Sequence, residues 1–374
     1  MAAQAAYSTA KTAADAIADI RRQTGEATPR MVLYFASSNY DQDALAAGMR
    51  AAFADATVFG CSTSGELVSG AVLKGSVVCM ALDAETVDDV CVQTVEVDSD
   101  ESMRAAADAF AAHFGTPLDR LDVERHIGLV LSDGLSGAEE RFMDRLGNLS
   151  NILFLGGSAG DDLKFKQTWV HRDGRAHPGT VLLAVVKPAK GFDFVKAQSF
   201  CSRGKTLVAT EVDEATRRVM RFDGKPAAQA YIEASGAPPE LLEAPLAEAS
   251  AFFADHPLGL IIDGDPYVRA PQSFDGSDMN FWCNIKEGME LQLLESTNIL
   301  ADTRKAVDEV VARHGSVAAI VDFHCLFRAL ELERAGHSQQ YGQIFSDIPM
   351  IGFATYGEQF IGHVNQTSTM LVLL

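Results

Sequence analysis

One short phrase occurs near both ends of this 374-residue chain. Residues 58–67 read VFGCSTSGEL, and residues 350–359 read MIGFATYGEQ. In both, an apolar run enters a glycine, a threonine follows three positions later, and Gly-Glu follows after one more residue. A version one residue shorter, ILFLGGSAGDD, occupies residues 152–162. The recurrence indicates a repeated structural unit, and a repeat constrains the fold more than any single element does.

The residues around each phrase predict the same order of elements, strand–helix–strand–strand, within residues 31–83, 127–188 and 317–374. In the first copy, Asp41 stands where a helix N-cap is expected, before apolar residues at helical spacing. The apolar runs are continuous rather than alternating, which is typical of sheets covered by other layers. These patterns predict an α/β fold of two mixed α/β domains built from recurring strand–helix–strand–strand units.

The length of the chain favours two domains rather than one core. We expect an N-terminal surface helix over residues 1–25, a first domain over 26–205 with two copies of the unit, and a second domain over 206–374 with the third. The segment between the second and third copies differs, because it predicts a hairpin near Asp213–Ala215, a short helix and several further strands.

Composition excludes several classes of partner. The formal net charge is −20, from 31 Lys and Arg against 51 Asp and Glu, which disfavours binding to nucleic acid or to an anionic membrane. The longest apolar runs, such as residues 181–186, are far too short to span a bilayer. The six cysteines are scattered without a CxxC pair, so neither a disulfide framework nor a zinc finger is expected. The sequence therefore predicts a soluble, cytoplasmic protein.

The glycine turns have two readings that the residues leave open. Each could be a tight turn at a strand end with no further role. Alternatively, three turns from equivalent units could converge around one pocket, where backbone N–H groups would face a ligand.

At this point the chain resembles a known family. Residues 35–67 are similar to the start of a FIST N domain. Four later pieces, FDGKPAAQAY, NIKEGMELQLLE, HCLFRALELE and GFATYGEQFIGHVNQTSTM, are similar to successive parts of a FIST C domain. The resemblance spans roughly residues 30–370 and implies a bacterial, non-catalytic sensory protein. It implies that the protein passes a ligand signal to a histidine kinase or another signalling enzyme, with a homodimer as one possible assembly.

The tail YGEQ…HVNQT is similar to one branch of that family, the haem-binding, nitric-oxide-sensing NosP proteins. This likeness implies noncovalent haem b, whose iron needs a neutral imidazole in an apolar pocket. The expected axial metal ligand is His363, and His324 is the second choice. The ordinary alternative is that each is a hydrogen-bonded histidine with a structural role.

Other side chains would complete a haem site under the same resemblance. Phe353 and Tyr356, with Phe360 and Phe327, would supply apolar walls. Arg328, with Lys286, would meet the propionates. All of these residues could equally pack a core.

Three rival functions stay open at this stage. A FIST sensor for an amino acid or another small metabolite, without haem, fits every feature except the likeness of the tail. An enzyme is conceivable because Cys61 follows a strand and precedes a turn, but no pattern supplies the base that a thiol nucleophile needs. The third rival is a structural adaptor that leaves the turns empty.

Overall fold

The computed structural model describes residues 3–25, 28–360 and 362–374, and in them the repeated unit is larger than the sequence predicts. Each copy consists of an edge strand, a helix, a strand, a second helix, a strand, a short hairpin and a returning strand. The α/β fold class is confirmed, because helices and mixed sheets are both present.

The first two copies follow one another along the chain. The first consists of β1 (Ala3–Ser8), α1 (Ala13–Thr24), β2 (Met31–Ser37), α2 (Gln42–Ala52), β3 (Thr57–Thr63), β4 (Glu66–Val68), β5 (Ala71–Leu73) and β6 (Val77–Leu82). The second consists of β7 (Val87–Glu96), α3 (Asp100–Phe114), β8 (Ile127–Ser132), α4 (Glu139–Gly147), β9 (Phe154–Ser158), β10 (Trp169–Arg172), β11 (Arg175–Pro178) and β12 (Thr180–Pro188).

The third copy begins with the edge strand β13 (Phe192–Gln198) and is then interrupted. The interruption contains β14 (Phe200–Asp213), β15 (Arg218–Phe222), β16 (Lys225–Pro226), α5 (Ala227–Ser235), α6 (Leu246–Asp255), β17 (Leu258–Ile262), β18 (Asp265–Arg269), β19 (Pro271–Asp275), β20 (Asp278–Phe281) and β21 (Glu290–Ser296). The copy resumes with α7 (Ile299–His314), β22 (Ala319–Cys325), α8 (Leu326–Arg334), α9 (Ser338–Gln343), β23 (Met350–Thr355), β24 (Glu358–Phe360), β25 (Gly362–Val364) and β26 (Thr367–Leu373).

The described chain forms two compact units. The first contains residues 1–197, 303–363 and 368–374, and the second contains residues 198–302 and 364–367. The third copy of the repeat therefore belongs with the first two, whereas the sequence led us to expect it in a separate C-terminal domain. The physical reason is strand pairing, because β23 of the third copy pairs with β4 of the first.

Three six-stranded sheets of the first unit, as far as it is described, have the same order of strands. The orders are β1-β6-β2-β3-β10-β11, β7-β12-β8-β9-β24-β25 and β13-β26-β22-β23-β4-β5. In each sheet the two central strands are parallel. The outer hairpin always comes from another copy: the hairpin of the second copy completes the first sheet, that of the third completes the second, and that of the first completes the third. The three copies are thus locked together by a cyclic exchange of hairpins.

The glycine that opens each repeated phrase has a specific steric role. Gly60, Gly156 and Gly352 stand opposite a residue of the neighbouring parallel strand. A Cβ atom would lie 1.9, 1.8 and 2.5 Å, respectively, from the carbonyl oxygen of that residue. Only glycine allows this approach, so the repetition of the phrase reflects one steric requirement met three times.

The N-terminal segment differs from the expectation of a helix over residues 1–25. The helix is Ala13–Thr24, and the strand β1 precedes it and pairs antiparallel with β6. Alanine-rich sequence suggests a helix by propensity, but pairing at the edge of an existing sheet satisfies the backbone of Ala3–Ser8 instead. Residues 1 and 2 of that expected segment lie outside the described part.

The second compact unit contains an antiparallel sheet whose longest strand is β14. Residues of this sheet pack with α5 and α6 around aromatic side chains that include Phe222, Tyr231 and Phe253. The hairpin predicted near Asp213–Ala215 is present between β14 and β15.

Candidate functional site

The three turns that follow β3, β9 and β23 meet at one place in the first compact unit. Backbone hydrogen bonds join the turn of one copy to the strand end of another: Gly160 donates to Ser62 (3.0 Å), Ala354 to Gly65 (2.8 Å) and Ser158 to Gly357 (2.8 Å). Convergence of the turns, one of the two readings of the sequence, is therefore confirmed. At the point of contact, the turns bond to one another.

A carboxyl group follows the last glycine of each turn, and the first of these is Glu66. Its side chain is buried and accepts hydrogen bonds from Thr63 Oγ1, from the Ser76 backbone N–H (3.0 Å) and from Ser76 Oγ (2.6 Å). Burial raises the pKa of Glu66 to about 7, although the bonds with Ser76 and Thr63 lower it. The fold thus holds an acid that titrates near neutrality at the base of the β4–β5 hairpin.

The equivalent carboxyl group in the second copy is Asp161, and it organises the following loop. It accepts backbone N–H bonds from Phe165 (2.9 Å), Lys166 (2.6 Å) and Gln167 (3.1 Å), and Tyr356 Oη donates to it at 2.5 Å. Burial by itself would raise the pKa of Asp161, but the Tyr356 bond and the three N–H bonds hold it below its usual value. Asp161 is therefore an ionised anchor for residues 161–167.

A cavity of about 320 Å³ lies beside the meeting point of the turns. All three copies contribute to its lining: Ser64 and Gly65 from the first turn, Leu163 from the segment after β9, and Ala354 from the end of β23. This is the arrangement in which strand ends of α/β sheets bind ligands.

Most of the remaining lining comes from two elements that the hairpin exchange brings together, and Ser338 of α9 completes it. The β4–β5 hairpin and the residue after it supply Leu67, Val72, Leu73 and Lys74, and α8 supplies Leu326, Ala329, Leu330 and Glu333. Lys74 Nζ and Glu333 Oε2 are 2.7 Å apart and largely exposed. The cavity therefore combines apolar walls with one charge of each sign.

The structure places His363 on β25, in contact with the third turn. Its imidazole is 4% exposed, and a Cβ atom on Gly357 would lie 2.2 Å from His363 Cε1. The second glycine of this turn is therefore needed to seat the ring.

His324 lies at the end of β22, in another sheet, and is fully buried. Its Nδ1 is 3.1 Å from Tyr341 Oη, while its Nε2 has no hydrogen-bond partner among the described residues. Burial lowers the pKa of His324, although the neighbouring Asp322 raises it. A neutral imidazole with one nitrogen engaged has the donor pattern of a metal-binding histidine, so His324 stays a candidate axial ligand beside His363.

The proposed wall and propionate residues are not gathered in one pocket. Phe353 is in the core, where its ring contacts Phe35 (4.5 Å) and Phe323 (5.9 Å) between centroids. Tyr356 bonds to Asp161 and stacks on Phe165 at 5.1 Å. Arg328 is buried and donates to Thr303 Oγ1 at 2.8 Å.

The secondary candidates are similarly dispersed. Phe360 packs on Phe194 with ring centroids 5.3 Å apart, Phe327 is half-buried on α8, and Lys286 belongs to the second compact unit. Haem binding at His324 or His363 would require these packed side chains to separate.

The comparisons with known proteins decide the family. The FIST N domain matches residues 30–225, which is more than half of the chain, and the FIST C domain matches residues 227–361. The chain belongs to the FIST family. FIST domains are sensory domains.

A relative of this FIST protein is an uncharacterised protein of Methanocaldococcus jannaschii. The two are 24% identical over 309 residues, which are 78% of this chain and 58% of the relative. The chain thus spans less than two thirds of the length of the curated relative it matches.

None of the helices in the described ranges combines the length and apolarity needed to cross a membrane.

Cys61, which would be the nucleophile if this FIST protein were an enzyme, lies in the interior of β3. Its side chain is fully buried, and burial raises the pKa of the thiol well above its usual value. Because the thiolate is the reactive form, this position disfavours nucleophilic chemistry.

Sequence reasoning missed the residues that line the cavity of the FIST protein. A signal existed on α8, where Leu326, Ala329, Leu330 and Glu333 recur at the spacing of one helical face. No sequence pattern identifies Lys74 as a lining residue, because it reaches α8 only through the exchange of hairpins in the tertiary structure.

Proposed function

We propose that this FIST protein is a non-catalytic sensory protein that binds a small ligand in the cavity beside the three turns. The observation that carries the proposal is that all three copies of the repeat contribute to one cavity. A ligand there contacts elements from every copy, so it can favour one arrangement of the copies over another and shift their populations.

The lining favours an amphipathic ligand, and an amino acid with an apolar side chain fits it best. The ligand carboxylate would pair with Lys74 and its ammonium group with Glu333, while the side chain occupies the space between β4–β5 and α8. This is the metabolite-sensor alternative that the sequence left open.

Calorimetric titration with L-leucine tests this proposal. We expect saturable heat for the wild type and its loss in Lys74→Met and Glu333→Gln. Lys305→Met is the matched control, because Lys305 forms a similarly exposed ion pair with Glu309 on α7. Equal binding by all variants, or no heat with any apolar amino acid, would count against the cavity as an amino-acid site.

We further propose that the partner is a histidine kinase or another signalling enzyme, and that both act in the cytoplasm. The buried Cys61 supports a non-catalytic role, and six free cysteines are typical of a reducing compartment. Autophosphorylation of a candidate kinase, measured with the ligand-free and the ligand-saturated sensor, is the direct test. An unchanged rate in both states would favour the adaptor reading.

Haem with nitric oxide as its signal is the second candidate, and one observation favours it: the buried, neutral His324 has an Nε2 without a hydrogen-bond partner in the described part of the chain. Haem would supply an iron that binds a diatomic gas. His324, with Arg328 near it in sequence, would hold the group, while His363 is the ligand that the resemblance implies.

The visible spectrum of protein purified from haem-supplied cells tests this candidate. Loss of the Soret band in His324→Ala but not in His363→Ala would identify His324 as the ligand, and the reverse result would identify His363. Far-UV circular dichroism controls for folding. A wild-type protein without a Soret band would remove haem as a candidate.

A further inference from the structure

Residues 161–167, which we name the latch segment, have an unusual backbone. Asp162, Leu163 and Phe165 have φ angles of 54°, 63° and 50°. Bulky L-residues rarely adopt positive φ. Leu163 and Phe165 are also 43% and 53% exposed, so burial of these side chains does not explain the conformation.

Hydrogen bonds to Asp161 within the segment and to Tyr356 outside it hold this backbone in place. Three of its N–H groups donate to the Asp161 carboxylate, and the N–H of Leu163 donates to Tyr356 Oη at 3.0 Å. Tyr356 belongs to the third turn and also stacks on Phe165. The latch segment is therefore fastened to the third copy of the repeat through one tyrosine.

A second carboxylate fastens the segment to the first copy. Asp162 accepts hydrogen bonds from Ser37 Oγ (2.8 Å) and from the Ser38 backbone N–H (2.8 Å), and its own N–H donates to the Thr63 carbonyl at 3.0 Å. The segment thus joins all three copies and is held by hydrogen bonds against an unfavourable backbone conformation.

The side chain of Leu163 connects the segment to the cavity, because it forms part of the lining. Ala329 lines the same cavity, so a group that fills the cavity occupies space that Ala329 and Leu163 share. We propose that occupation of the cavity displaces Leu163 and releases the latch segment, so that this segment reports ligand binding on the surface of the protein. The proposal rests on the cavity being the ligand site and adds how its occupation is signalled.

Filling the cavity by mutation tests the release without a ligand. Ala329→Phe and the smaller Ala329→Leu add side-chain volume at the cavity wall, and Ala54→Leu adds volume at a cavity formed by residues near Phe53 instead. Hydrogen exchange of the amides of Leu163, Phe165, Lys166 and Gln167 is followed by mass spectrometry. We expect exchange about tenfold faster in the Ala329 variants and unchanged exchange in Ala54→Leu, since exchange measures local opening.

Two results would overturn the proposal: folded Ala329 variants whose segment exchanges at the wild-type rate, or equally accelerated exchange in Ala54→Leu. The same measurement on the wild type with saturating L-leucine separates this idea from the proposed ligand. Heat of binding without faster exchange rejects the latch alone. Faster exchange in the Ala329 variants without any heat from L-leucine supports the latch and rejects only the amino acid as ligand.

Discussion

At the scale of single residues, Glu66 should give the fold a pH dependence near neutrality. Its pKa is about 7 in the folded protein against an ordinary 4.5, so the folded state binds the proton more tightly than the unfolded chain does. The contribution of this tighter proton binding to the free energy of unfolding is fully present below pH 4.5. It is lost as the pH rises through about 7. The difference between these two pKa values corresponds to about 3 kcal/mol in the free energy of unfolding.

The variant Glu66→Gln keeps this site neutral at every pH. We expect its free energy of unfolding, measured in urea, to match that of the wild type at pH 4.5 and to exceed it at pH 8 by up to about 3 kcal/mol. Glu85→Gln, at an exposed position, is the control and should follow the wild type. A pH dependence that is the same in Glu66→Gln and the wild type would show that Glu66 does not titrate as proposed.

At position 163, the energetic cost of the backbone conformation can be measured separately from the contribution of the leucine side chain. Both Leu163→Ala and Leu163→Gly remove the side chain, but only glycine adopts a φ of 63° without steric cost. Leu163→Gly should therefore be the more stable variant, by about 0.5 to 1 kcal/mol in urea unfolding.

The same pair of substitutions at Leu135, which is not among the positive-φ residues, provides the control. There the order should reverse, because glycine loses more conformational entropy on folding than alanine does. Finding alanine more stable than glycine at both positions would contradict the strained conformation at residue 163.

At the scale of elements, the parallel strand pairs depend on the glycine at the centre of each. In Gly156→Ala the added methyl group would lie 1.8 Å from the Val130 carbonyl oxygen. Separation of β8 from β9 should cost about 1 to 3 kcal/mol, the range typical of overpacked cores. Thermal unfolding of Gly156→Ala measures the loss.

Gly147→Ala is the matched control on the adjacent helix α4, because nothing lies within 4 Å of its added methyl group. It should be neutral or should stabilise the protein by up to about 1 kcal/mol. If both variants unfold at the wild-type temperature, the steric account of the repeated glycine is wrong.

At the scale of the whole molecule, the net charge of −20 sets a long-range repulsion. Ions screen exposed charges over about 10 Å at 0.1 M and about 3 Å at 1 M. The melting temperature should therefore rise as sodium chloride is increased between these concentrations. A melting temperature that falls over this range would mean that favourable surface ion pairs outweigh the net repulsion.

The sequence by itself determined the central strand–helix–strand part of each copy. The strands around residues 31–37, 127–132 and 319–325 and the helices after them lie where continuous apolar runs, the Asp41 cap and helical spacing predict them. These features are local, because they depend on residues within a few positions of one another. The sequence left open whether the three turns meet, and the hydrogen bonds between the copies show that they do.

Only the tertiary structure decided which strands pair and where a cavity forms. The hairpin β4–β5 leaves its own copy and adds to the sheet of the third, which carries Lys74 to Glu333 across 259 positions of sequence. Phe353, by contrast, looked like a pocket wall and lies in a core between sheets. Apolar side chains that line a cavity and those that fill a core have the same chemistry. They differ only in the atoms opposite them, and those atoms come from distant parts of the chain.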